Sequence, residues 1–260
     1  MDITVIIGTI LACGLLVMSI GTGQDAMMTF VQPESLMFVF GGTLGASLMH
    51  FPSTQIFKMG GRIKVFFSLK KMNYTEDIDF LVNIATKYNE NGPNAILDDI
   101  ESCKDHYLKI SLQILIDDVD ERSLQKFLSE NLNYIEKRHE QGIMFFEQMA
   151  KYAPAFGLLG TVVGLVKLLK ELQSNPELLG ISMAMALITT FYGVLLANLV
   201  FQPLAGRLRS YSIEETLQKE MMMVGLNAVA HNEPPFIVRE KMLLFLTSKE
   251  RKRYAKHASK

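Results

Sequence analysis

Thr161, Thr189, Thr190 and Tyr192 are the prominent polar side chains of an otherwise apolar hairpin that runs from Met149 to Pro203. Hydroxyl and backbone carbonyl oxygens are hard, neutral ligands. They suit a monovalent cation and are too few and too neutral to hold a divalent one. A cation crossing apolar surroundings also needs a counter-charge near mid-membrane. Asp and Glu are absent from the middle of every long apolar segment, so the chemistry requires a carboxylate from another chain. A lone membrane threonine ordinarily bonds back to a carbonyl of its own helix, and that reading stands beside the ion-pathway reading for each hydroxyl.

Small residues accompany these hydroxyls. Gly157, Gly160 and Gly164 follow Pro154 on one helical stripe, and Ala186, Thr190, Gly193 and Ala197 form a second. Small residues let neighbouring membrane helices approach closely, so plain helix packing explains the stripes as well as a functional notch does. Pro154 and Pro203 stand near the two ends of the hairpin. Proline is common in membrane helices. Kinks at the expected cytoplasmic face would nevertheless couple an ion step to movement of the helices beyond.

The elements that must position these groups are helices. A bilayer core needs about 20 mainly apolar residues rising about 1.5 Å each. Four stretches qualify with their flanks: Ile3–Ile20, Leu36–Phe51, Pro154–Val166 and Leu178–Pro203. Lys167 and Lys170 can snorkel from the end of the third. Met1–Ile20 has no basic n-region and is expected to stay as the first span. Of 26 Lys and Arg, 12 fall in 53–150 and 11 in 204–260, whereas the connection 21–34 has none. By the positive-inside rule both termini and both long polar regions face the cytoplasm.

The expected architecture is an all-α membrane protein with four transmembrane helices. It has a first hairpin at 1–52, a helical cytoplasmic domain at 53–150, a second hairpin at 151–203 and helical cytoplasmic segments at 204–260. In the cytoplasmic domain, Ile78, Leu81, Ile84 and Tyr88 lie on one helix face, as do Leu124, Phe127, Leu128, Leu132 and Ile135. Asn91-Gly92-Pro93 and Asp117-Asp118 read as breaks. Ser212-Ile213-Glu214-Glu215 has capping-box spacing and offers a restart. Ile237–Leu246 forms a short helix, and 249–260 is a loose basic tail able to touch an anionic leaflet.

Other chemistries find no support. Cys13 and Cys103 are too isolated for a disulfide framework or metal site. A net charge of −1 gives no nucleic-acid signal. Gly41-Gly42-Thr43-Leu44-Gly45 lies inside an apolar segment without the lysine of a phosphate loop. No nucleophile–base set appears. His139 reads as a structural polar residue, and Asp98-Asp99-Ile100-Glu101 as a solvated face.

Several motifs resemble one family over essentially the whole length. They are Phe38-Val39-Phe40-Gly41-Gly42-Thr43, Arg138-His139-Glu140-Gln141-Gly142, the run from Tyr152 to Leu165, Ala186-Leu187-Ile188-Thr189-Thr190-Phe191-Tyr192-Gly193, and Asn198 to Ala205. The chain resembles the A-subunit of bacterial flagellar motor stators, the MotA/PomA family. The resemblance implies a multi-pass protein of the bacterial inner membrane that is a transducer and not an enzyme, with no cofactor beyond the transported Na+ or H+. It also implies a homo-oligomeric, pentameric ring around a B-subunit dimer whose membrane aspartate completes the ion path, and a cytoplasmic region that pushes on the rotor protein FliG. Pro154 and Pro203 match the family's two functional prolines, and Thr161, Thr189 and Thr190 match hydroxyls of the ion path. Sodium-driven members resemble this chain at Thr161, where many proton-driven members have alanine, which favours sodium. The rotor-facing loop departs from the family pattern: Asn89 stands where a basic residue is usual, leaving Lys87 and Asp98 as candidate contacts. The rival readings are an ExbB/TolQ-like envelope transducer, with three spans and an outside N-terminus, and a non-conducting membrane scaffold.

Overall fold

The structure, a computed structural model, describes residues 3–21, 28–53, 56, 72–117, 120–172 and 179–258. Its elements in chain order are α1 (Ile3–Ile20), α2 (Pro33–His50), α3 (Tyr74–Asn91), a 3-10 turn (Pro93–Ile96), α4 (Leu97–Ser102), α5 (His106–Ile116), α6 (Glu121–Glu171), α7 (Leu179–Leu195), a π-helical turn (Leu196–Phe201), α8 (Gln202–Ala230), α9 (Pro235–Leu243) and α10 (Ser248–Ala258). Among the described residues there is no strand. The chain divides into two compact units, each drawn from two separated stretches: Met1–Leu69 with His139–Ser210, and Lys70–Arg138 with Tyr211–Lys260.

The first unit is the apolar one. By length and composition, Arg122–Lys170 and Leu179–Ala230 hold segments able to cross a membrane, and Ile6–Ile20 is a shorter apolar helix. Leu158, Leu159, Val162, Leu165, Val166 and Leu169 all point outward from α6. Such a continuous apolar exterior is untenable in water and suits lipid or neighbouring chains. The small core of this unit gathers Phe51, Phe145, Phe146, Met149, Ala153, Ala197 and Phe201. On α2, Thr43 and Ser47 are buried, and their hydroxyls donate to the carbonyls of Val39 (2.7 Å) and Thr43 (2.8 Å). Neither hydroxyl is thereby left an orphan donor in its apolar surroundings.

The second unit has the larger core. Ile78, Leu81 and Ile84 from α3 and Leu124, Leu128 and Ile135 from α6 are buried in it with Met221, Met222 and Leu226 from α8. Tyr88 and Phe127 pack at its margin, so both periodic faces read from the sequence lie inward. Gly92 ends α3 at φ 78, a conformation open to glycine at little cost. The α8 terminus closes on Asn232 at φ 52, with Asn232 N–H donating to Val229 O and Glu233 N–H to Ala228 O. This is the two-bond pattern of a Schellman ending, with asparagine as the left-handed residue. Pro235 then occupies the first turn of α9.

Three expectations are corrected. There is no restart at Ser212: α8 runs through it unbroken, because hydrogen-bonded turns on both sides already satisfy the N–H groups a cap would serve. The short helix is Pro235–Leu243, ending before Leu246. The basic tail is helical through Ala258. Thr247 and Glu250 form a reciprocal cap at its start: Glu250 Oε2 accepts from Thr247 N (2.9 Å), and Thr247 Oγ1 accepts from Glu250 N (3.4 Å). The Asp117 end of α5 agrees with the expected break, and Asp118 lies outside the described residues.

Candidate functional site: a hydroxyl pair between two helices

The stripes on α6 and α7 face each other in antiparallel succession. A Cβ added to Gly193 would lie 2.6 Å from Ala153 O and 3.1 Å from Gly157 Cα; one on Gly164 would lie 2.7 Å from Ala186 Cβ; one on Gly160 would lie 2.6 Å from Thr189 Cβ. The two backbones are therefore closer than any larger residue permits, and close packing is the direct work of the glycines. A Cβ on Gly157 would lie 3.0 Å from Thr189 O, a somewhat looser approach.

That approach brings Thr161 and Thr190 together. Their hydroxyls are hydrogen-bonded to each other across the helix pair. Thr161 Oγ1 also lies 3.2 Å from Gly157 O and 3.0 Å from Ala186 O, and Thr190 Oγ1 lies 3.4 Å from Gly157 O. Four oxygens thus converge: two hydroxyls and two carbonyls. Each hydroxyl carries one proton: Thr161 can turn its own toward either carbonyl or Thr190, and Thr190 toward Gly157 O or Thr161, so the oxygen lone pairs can be presented to a cation without moving the backbone. The group is neutral. It can share a cation's shell but cannot balance its charge.

The other candidate residues lie apart. Thr189 is fully buried and donates to Ala186 O at 2.9 Å on its own helix, the ordinary back-bond of a membrane threonine. Tyr192 donates to Phe30 O and accepts from Gln32 N at 3.0 Å, tying α7 to the connection before α2. Pro154 sits half-buried inside α6 beside Gly193. Pro203 is exposed in the first turn of α8, just after the π-helical turn. In that turn Gln202 N–H reaches back five residues to Ala197 O.

In the second unit Lys87 and Asp98 do not act together. Lys87 Nζ is 2.7 Å and 2.9 Å from the two oxygens of Asp99, while Asp98 is exposed. The cluster Asp98–Glu101 is consequently not uniformly solvated: Asp99 is turned inward onto its lysine. Asn89, where a basic residue was expected, donates to Glu233 O at 2.9 Å. Among the described residues no group of His, Cys, Asp and Glu could hold a metal ion.

Two features escaped the sequence reading. His50 Nδ1 and Tyr152 Oη are 2.8 Å apart, linking the end of α2 to α6 just before Pro154; the available signal was a polar tip at the end of an apolar run. The second is a cleft of about 630 Å³ lined by Asp77, Asp105, Tyr211, Gln218 and Lys219. Lys219 is only 5 % exposed and is paired with Asp105. Asp77, hydrogen-bonded by Gln218, has its carboxyl raised from the ordinary aspartate value, first by burial. Lone charged residues in the middle of a long helix gave no pattern from which to foresee it.

Two long helices packed glycine to glycine around convergent neutral oxygens each hold a segment long and apolar enough to cross a membrane. The profile of the MotA/TolQ/ExbB proton channel family matches residues 99–221. The chain is 30% identical to motility protein A of Borreliella burgdorferi, with 96% of each chain covered. It is 30% identical to chemotaxis protein PomA of Vibrio alginolyticus, covering 96% of this chain and 98% of that one. The chain therefore belongs to the motility protein A (MotA/PomA) family. Its fold matches the flagellar MotAB stator complex from Bacillus subtilis at a TM-score of 0.87 and 26% identity, with 98% of both chains covered.

Proposed function

We propose that this protein is the ion-conducting A-subunit of a flagellar motor stator, with sodium as the favoured ion. The observation that carries the reading is the convergence of Thr161 and Thr190 hydroxyls with the Gly157 and Ala186 carbonyls on the α6–α7 pair. A hydroxyl oxygen can replace one water of a sodium shell, and a methyl group cannot. The missing counter-charge is the membrane aspartate of a B-subunit dimer, pressed against this neutral wall. The A-subunits form a ring, pentameric by family likeness, in the bacterial inner membrane. Four spans place both termini in the cytoplasm, α1 and α2 supplying the first two.

Ion occupancy is transmitted at the prolines. Pro154 borders the close contact with Gly193, and Pro203 follows the π-helical turn, so rearrangement at the hydroxyl pair reaches both long helices as they leave the apolar unit. The second unit then acts on FliG. Asp98 is the accessible contact, since Lys87 is held by Asp99. The test is swimming speed against external sodium at fixed proton-motive force. Speed rising with sodium supports the reading; speed independent of sodium removes sodium as the coupling ion.

A further inference from the structure

The C-terminal helix α10 has a cationic stripe and a fixed back. At about 100° per residue, Lys249, Lys252, Arg253 and Lys256 occupy an arc of about 100° centred opposite Tyr254. All four are exposed, and Tyr254 is buried in the core of the second unit. Tyr254 Oη donates to Asp79 at 2.6 Å. Arg251, off the stripe, donates to Leu246 O and Leu244 O at 3.1 Å each, tying the helix to the turn before it. The helix therefore cannot roll to hide its charges.

Its position within the unit also matters. Asp79 lies near the start of α3, beside Asp77, which receives Gln218 of α8, and Tyr74 Oη donates to Glu214 O at 3.4 Å. These contacts place α10 at the end of the second unit from which α8 continues back toward Ser210. The opposite end holds Gly92, Asn89 and Glu233. A membrane protein has anionic headgroups available on its cytoplasmic side, and clustered Lys and Arg near them bind by charge with no need for an apolar anchor. α10 itself has no apolar residue on the stripe.

We propose that α10 docks on anionic lipid headgroups and holds the second unit against the inner leaflet. This rests on the membrane placement given above. The test uses the full-length chain in lipid nanodiscs of phosphatidylcholine alone and of phosphatidylcholine mixed with phosphatidylglycerol, reading amide hydrogen exchange over 248–258. Exchange is expected to be about tenfold slower in the anionic discs, as several basic residues near a charged surface imply. High salt and the combined K249Q/K252Q/R253Q/K256Q variant should both abolish the difference. Unchanged exchange over Pro235–Leu243 in that variant verifies that the unit remains folded. Equal exchange in the two lipids overturns the proposal. Protection that is independent of lipid yet lost in the variant also overturns it, and assigns the stripe to an acidic protein surface. The readout requires neither ion flux nor rotation, so a chain that fails as a stator leaves this result standing on its own.

Discussion

The Thr161–Thr190 pair depends on an oxygen, not on a shape. Thr161→Ser keeps the oxygen and Thr161→Ala removes it, one of four at the site. A lost neutral ligand of this kind is worth about 1 kcal/mol, roughly fivefold in ion occupancy. Sodium-dependent swimming should therefore survive in T161S and need about fivefold more sodium in T161A; equal curves would show that the hydroxyl is not in the path. The glycines make a separate prediction. Gly193→Ala would set a methyl 2.6 Å from a backbone oxygen, whereas Gly180→Ala meets nothing within 4 Å. Overpacking costs about 1–3 kcal/mol, so G193A should lower the thermal stability of the purified protein and G180A should leave it unchanged. The pairing of the stripes was legible because small and hydroxyl residues recur at helical spacing on two neighbouring segments. What each hydroxyl does was not: Thr189 and Thr190 are adjacent, yet one turns back on its own helix and the other crosses to α6. Spacing cannot separate neighbours about 100° apart when both faces are occupied by chain.

At the scale of elements, Pro203 explains the π-helical turn before it. Proline has no N–H to give to a carbonyl four residues back, and its ring crowds that carbonyl. Leu196–Phe201 widen by one residue, and Gln202 N–H bonds Ala197 O instead, a local solution found often at functional sites. Ala197 and Phe201 remain buried beside Ala153 and Met149. Pro203→Ala removes the obstacle, and the ordinary helical bonds should reform. Amide exchange over 196–203 should slow several-fold while torque falls, because the hinge is lost with the wide turn. Unchanged exchange would mean that packing, not proline, sets the wide turn. The periodicity of the sequence announced long helices on both sides of Pro203 but carried no trace of the wide turn, since one extra residue per turn leaves composition untouched. The helical tail is the converse case. Thr247-Ser248-Lys249-Glu250 carries capping-box spacing as plainly as Ser212–Glu215 does, yet the basic composition invited a loose reading. The Thr247–Glu250 bonds and the Tyr254 anchor show that local capping and one buried aromatic outweigh it.

At the scale of the whole molecule, the second unit is built from two separated stretches, and both of them line its charged cleft. Asp77 and Asp105 flank one lysine, but their energetics have opposite sign. Asp105 Oδ2 pairs with the buried Lys219 ammonium, while Oδ1 caps α5 by accepting from Leu108 N at 3.0 Å. Asp105→Asn keeps a capping oxygen and removes the charge, leaving Lys219 without its partner. A broken buried pair costs about 3–5 kcal/mol; with Asp105 about one third exposed, about 2 kcal/mol is expected after allowing for solvent screening. Asp77 is different. Burial, then repulsion from Asp105 and Glu76, raise its carboxyl against the opposing help of Gln218 and Lys219. A carboxyl raised in the folded state contributes stability that is fully present below its unfolded value and is lost as pH rises through the folded one. The ionised form of Asp77 is thus the costly one, and Asp77→Asn, which can still accept from Gln218, should hold or raise the melting temperature at pH 7. The advantage over the parent should shrink as the pH is lowered, because the folded parent's raised carboxyl takes up its proton more readily than the unfolded chain's does. Melting curves of the two variants at pH 7 and pH 4 decide the matter: D105N below the parent and D77N at or above it at pH 7 supports the assignment. Equal losses in both would make Asp77 a second counter-ion of Lys219, and burial would not be the force that sets its protonation.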